Sequence, residues 1–197
     1  MEKKAARGQI RQSVRRLTAA ERAEKSAAVR LRLNALPELR RAQVVMGFLP
    51  MPDELDTLPI LADLLAAGKR VYVPRTFVRE RRMFPVRLAD LGKLRRGEYG
   101  ILEPETEETC AIGELDLVIV PGRAFDRKGN RLGRGAGFYD EFMAQEGFRA
   151  IRCGVAFACQ VLDDVPHNQN DLPVSILVTE DGLLRFDAIP PASTRRH

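Results

Sequence analysis

The sequence predicts an α/β protein, layered α/β/α with a mostly parallel central sheet, on three observations. Short apolar runs of strand type alternate with stretches of helical period along the chain, the order of elements that covers a parallel sheet with helices. Between Val44 and Val73 a strand, a helix and a second strand follow one another, which predicts a parallel pair with a right-handed crossover. Leu115-Asp116-Leu117-Val118-Ile119-Val120 is apolar at five of six positions, the pattern of a central strand buried on both faces.

Residues 3–35 carry helical spacing at Ile10, Val14 and Leu17, and again at Val29 and Leu33. Thr18 followed by Glu21 is a capping-box pair, so two helices broken near Leu17 are expected, ended by Pro37. Val44 to Leu49 reads as a strand. Asp56 and Thr57 suit an N-cap and Pro59 a first turn, with the helix running through Leu61, Leu64 and Leu65 to a stop at Gly68. Arg70 to Val73 is the next strand, stopped by Pro74, and Met83 to Leu88 a further one. Lys93 to Glu108, with two glycines and many charges, reads as a surface excursion. Beyond the central strand come a glycine-rich loop, a helix from Phe138 to Gln145, and strands at Ile151–Phe157 and Val174–Thr179. One domain over residues 1–187 is expected, with a flexible tail over 188–197.

Composition narrows the function classes. The chain has 197 residues, 45% of them hydrophobic, enough for a substantial core. No apolar run is long enough to span a membrane, and the basic N-terminus lacks a secretory apolar stretch, so a cytoplasmic protein is expected. Cys110, Cys153 and Cys159 form no C-x-x-C pair and read as reduced core thiols. Only His167 and His197 are available as histidines, which excludes a His-rich metal site. The formal charge of +5 suits anionic small substrates. Nucleic acid is not expected, because the basic residues are not interleaved with aromatics.

The most informative stretch is Arg131-Leu132-Gly133-Arg134-Gly135-Ala136-Gly137-Phe138-Tyr139-Asp140. Alternate glycines bare the backbone amides, which at the start of a helix can receive an anion. Arg131 and Arg134 add mobile charge with bidentate reach for phosphate, and Asp140 sits where a carboxylate can hold magnesium. The spacing is neither Walker A nor G-x-G-x-x-G, and close helix–strand packing is the other use of such a turn. A second element, Leu49 to Thr57, lies past the C-terminal end of a predicted parallel strand, the edge where open α/β sheets bind ligands. It holds Asp53, Glu54 and Asp56. Asp56 reads as a cap, and Glu54 suits the paired N–H donors of a pterin-like amidine. In the third, Val165 to Asp171, a polar turn is the plain reading, and Asp171 matters if the fold brings it near Asp140.

Together these elements resemble the 5-formyltetrahydrofolate cyclo-ligase family, also called methenyltetrahydrofolate synthetase, from about Lys3 to Glu180. The most specific part is Pro121-Gly122-Arg123-Ala124-Phe125-Asp126, Gly129 to Gly135, and Gly137-Phe138-Tyr139-Asp140. The resemblance implies the layered α/β/α fold of that family, of the NagB-RpiA-CoA transferase-like kind. It implies ATP and 5-formyltetrahydrofolate as substrates, Mg2+ as cofactor, and a monomer without nucleic-acid or membrane partners. Lys3, Lys4 and Arg7 would reach the nucleotide, and residues 131–139, namely Arg131, Leu132, Gly133, Arg134, Gly135, Ala136, Gly137, Phe138 and Tyr139, would hold its phosphates. Arg134, Arg131 and Tyr139 would be catalytic, and Leu49, Met51 and Glu54, with residues 134–138, would touch the folate. Asp140 and Asp171 would hold magnesium. The family often has Lys where this chain has Ala136, and Asp where it has Ser175, so a folate- or nucleotide-binding relative of altered activity is the alternative.

Overall fold

A computed structural model describes residues 2–97 and 102–186; the tail from Ala188 and His197 lie outside them. Helices α1 (Lys3–Arg16) and α2 (Ala19–Ala35) open the chain. They part at Thr18, whose hydroxyl accepts the Glu21 N–H while the Glu21 carboxylate accepts the Thr18 N–H, the reciprocal cap that the sequence predicts. Pro37 does not simply end a helix. It starts the short α3 (Pro37–Arg41), because a first helical position needs no N–H.

Seven strands form the central sheet, in the order β12-β11-β9-β6-β1-β2-β3. The inner five, β11 (Ile176–Val178), β9 (Ile151–Val155), β6 (Leu117–Val120), β1 (Val44–Met46) and β2 (Arg70–Phe77), are parallel. The edges β12 (Leu183–Arg185) and β3 (Arg82–Leu88) run antiparallel. Helices α1, α2 and α4 (Leu58–Ala66) bury Ile10, Val29, Leu33, Ile60 and Leu61 on one face. Phe142 and Met143 of α5 (Phe138–Met143) pack on the other face with Met46, Tyr72 and Val118. This is the expected layered arrangement. Every residue of β6 is buried, as its apolar run requires.

Strand β2 passes through Pro74 instead of stopping there. Pro74 stands opposite Pro85 in the β2–β3 ladder, and neither has an N–H, so that pair exchanges no ladder bond. On its other side β1 has already ended at Met46, so no donor is lost there either. The supposed excursion at 93–108 contains a small hairpin, β4 (Leu94–Arg96) with β5 (Leu102–Pro104). Buried Arg75 holds this segment to the sheet, donating to the Pro104 and Thr106 carbonyls and to Glu107.

A small second sheet positions the glycine loop. Strand β7 (Ala124–Asp126) pairs with β8 (Arg131–Leu132) and with β10 (Val161–Leu162). The loop therefore leaves β8 and not the central strand directly. Fully buried Asp126 organises this turn by accepting the N–H groups of Lys128, Asn130 and Val165 and the Asn130 side-chain amide. Four donors on one carboxylate offset the desolvation that a buried charge incurs.

Candidate active site

A cavity of about 260 Å³ opens past the C-terminal ends of β1 and β6, the edge where open parallel sheets place ligands. Three segments wall most of it, and Pro121, Gly122 and Arg131 complete the lining. Phe48, Leu49, Met51 and Glu54 come from the connection after β1. Pro74, Thr76, Val78 and Met83 come from the β2–β3 hairpin. The glycine loop supplies the third wall, from Gly133 through Arg134, Ala136 and Gly137 to the first turn of α5. Two of the three walls coincide with segments singled out in the sequence. The hairpin does not, because its lining residues alternate with ordinary strand residues and carry no charge.

The loop's shape depends on glycine. Gly135 has φ +123° and Gly137 φ +78°, both left-handed, and Gly137 is the N-cap of α5. Helix α5 ends at Met143, so it is shorter than the periodicity to Gln145 suggests. Leu132 points into the core and has only its backbone to offer a ligand. Gly135 lies under the Arg7 guanidinium, 3.7 Å from the position that a Cβ would take, and Arg7 Nε donates to the Gly133 carbonyl at 2.8 Å. Helix α1 is thereby fastened to the loop. Lys4 is exposed on the same helix.

The two arginines differ in state. Arg131, expected to be mobile, is 4% exposed, and its guanidinium meets Asp140 Oδ1 at 2.7 Å and the Pro121 carbonyl at 3.3 Å. It is a strut, held because β8 points it inward. Arg134 is partly exposed and lies across the cavity. Its Nε donates to Glu54 Oε1 at 2.8 Å and its NH2 to Asp53 Oδ1 at 2.7 Å. The other oxygen of Asp53 is held by Arg123, and Glu54 Oε2 accepts the Met51 N–H. Burial alone would raise the Asp53 carboxyl, but hydrogen bonds from Arg123 and Arg134 outweigh it and hold it below the ordinary carboxylate range. Sequence reasoning gave Asp53 and Arg123 no role of their own, since only the fold shows that both face Arg134.

Tyr139 lines the same cavity. Its hydroxyl is buried and has no hydrogen-bond partner, and burial pushes its ionisation above the ordinary phenol range. A buried donor without a partner beside a cavity is a candidate contact for a ligand atom.

The fold does bring Asp171 near Asp140, because Leu172 N donates to Asp140 Oδ1 at 3.0 Å. Both carboxylates already hold partners, Asp140 with Arg131 and Asp171 with Lys3 Nζ at 2.5 Å and the Asn168 N–H. Among the described residues no group of three or more His, Cys, Asp or Glu side chains is placed to cage a metal. A magnesium ion that keeps phosphate and water in its shell asks the protein for only one or two carboxylates, and Asp140 and Asp171 are the neighbouring pair available at this place. His167 Nδ1 contacts the Val165 carbonyl. The three cysteines are free, and burial pushes the Cys153 thiol up to about 12 and Cys110 to about 11, so neither is an activated nucleophile. No helix among the described residues is long and apolar enough to cross a membrane.

Residues 1–180 match the model of the 5-formyltetrahydrofolate cyclo-ligase family. The 5-formyltetrahydrofolate cyclo-ligase of Mus musculus is 30% identical over 190 residues, covering 91% of this chain and 94% of its own. That of Escherichia coli K12 is 33% identical over 175 residues, covering 86% and 96%. The solution structure of Aquifex aeolicus 5,10-methenyltetrahydrofolate synthetase superposes with a TM-score of 0.84 at 30% identity, over 100% of this chain and 99% of that one.

Proposed function

Because the chain belongs to the 5-formyltetrahydrofolate cyclo-ligase family, we propose a division of labour among its residues for the reaction of that family. The enzyme converts 5-formyltetrahydrofolate to 5,10-methenyltetrahydrofolate at the expense of ATP. A formamide carbon is a poor electrophile. In the proposed route the formyl oxygen attacks the γ-phosphorus, its O–P bond forms and the bond to ADP breaks. The anilino nitrogen then closes on the activated carbon, loses its proton, and phosphate departs with the former formyl oxygen. The protein's task is to position two ligands and to offset charge on the moving phosphoryl.

In this reading Glu54 receives the paired N–H donors of the pterin, and Leu49, Met51 and Phe138 contact the ring. The amides and Arg134 of residues 133–137 hold the phosphates, with Lys3, Lys4 and Arg7 on the nucleotide. Arg131 keeps the loop in place beneath them, and Tyr139 donates its hydroxyl to the reacting group. Asp140, with Asp171, would hold Mg2+, which when bound neutralises phosphate charge. The supporting observation is the meeting of Glu54, Arg134 and an unpartnered Tyr139 hydroxyl at one cavity. We place the protein in the cytoplasm as a monomer; three free thiols suit a reducing compartment.

The test is direct. Purified protein with ATP, Mg2+ and 5-formyltetrahydrofolate is expected to develop the near-ultraviolet absorbance of the methenyl product. No signal at any ATP concentration would refute the assignment.

A further inference from the structure

Arg134 stands between two carboxylates. It meets Glu54 Oε1 through both Nε and NH2 and Asp53 Oδ1 through NH2, while Arg123 holds the far oxygen of Asp53. The Glu54 carboxylate thus carries a donor on each oxygen, Arg134 on Oε1 and the Met51 amide on Oε2, and an arriving N–H pair competes with them. An amidine that presents two N–H groups needs both carboxylate oxygens in one plane. An Arg134 guanidinium that leaves Glu54 keeps a counter-ion in Asp53, because its NH2 bond to Asp53 Oδ1 can persist when Nε and NH2 part from Glu54 Oε1.

We infer that Asp53 is a positioning residue, a pivot anchored by Arg123 on which Arg134 turns from Glu54 toward the phosphates when the folate ring arrives. This rests on the reading of Glu54 as the pterin carboxylate. Its consequence is that Asp53 acts on folate binding only through Arg134.

The dissociation constant of 5-formyltetrahydrofolate, measured by titration calorimetry without nucleotide, tests this in the wild type, Asp53→Asn, Arg134→Ala and the double variant. In Asp53→Asn the guanidinium falls back on Glu54, so folate binding weakens about tenfold, the scale of one charged hydrogen bond. In the Arg134→Ala background the same substitution changes the constant less than twofold. Equal weakening in both backgrounds, or no weakening in the first, overturns the inference. Arg123→Gln loosens the anchor and leaves Asp53 charged, and it is expected to weaken binding in the same direction by a smaller factor; no effect also overturns it. Wild-type protein that forms no methenyl product with ATP removes the assignment of activity beneath it, and the inference with it. Wild-type turnover with additive effects removes the inference alone.

Discussion

Arg7 on α1 donates its Nε to the carbonyl of Gly133 across 2.8 Å, a bond between residues 126 positions apart in the chain. The first helix thus fixes the start of the glycine loop. Its guanidinium also lies over Gly135, where no side chain intervenes. Replacing Arg7 with alanine removes a charged hydrogen bond of roughly 1–2 kcal/mol from the loop. The KM for ATP is expected to rise about tenfold with a small change in melting temperature. Steady-state kinetics against ATP at saturating folate checks this, and an unchanged KM would detach α1 from the site.

Asp140 has two duties, accepting from Arg131 at 2.7 Å and from the Leu172 amide at 3.0 Å. Arg131 is 4% exposed, so Asp140→Ala leaves a buried guanidinium without its counter-ion. Removing one member of such a pair costs roughly 3–5 kcal/mol. Urea unfolding of Asp140→Ala is expected to show a loss of that order. A loss below about 1 kcal/mol, the range of a solvent-screened surface pair, would mean that the pair is not structural.

The sheet was legible because β1, α4, β2 and β6 carry their burial in their own composition. The glycine loop and Glu54 were legible because their chemistry is local, in bare backbone and in a carboxylate with no capping duty. Arg131 was misjudged as mobile, since the sequence does not show that β8 turns its side chain inward against Asp140. Pro74 was misjudged as a stop because only the partner strand reveals Pro85 opposite it. Asp53 and Arg123 lie 70 positions apart, and their meeting is a property of the fold alone.

The Tyr139 hydroxyl is buried at the cavity without a partner. Tyr139→Phe removes an unsatisfied donor, so stability is expected to stay level or to rise by up to about 1 kcal/mol. Turnover is expected to fall about tenfold if the hydroxyl donates to the reacting group. The informative result is the combination, lower kcat with an equal or higher melting temperature. Equal kcat would leave the hydroxyl as an orphan without function.

Ala136 is exposed at the cavity between Gly135 and Gly137, on the loop that faces the proposed phosphates. A lysine there can extend into solvent, because Ala136 is exposed and its two neighbours are glycines. Arg134 is committed to Asp53 and Glu54, so a further cation on the loop would add to what it offers a triphosphate. A cation added at 136 would meet the phosphates at a solvent-exposed position, where Coulomb attraction is modest and screened by salt. Ala136→Lys is therefore expected to lower the KM for ATP several-fold at low ionic strength and less as salt is raised, with the folate KM nearly constant. A KM for ATP that ignores both the lysine and the salt would place the phosphates elsewhere than on residues 133–137.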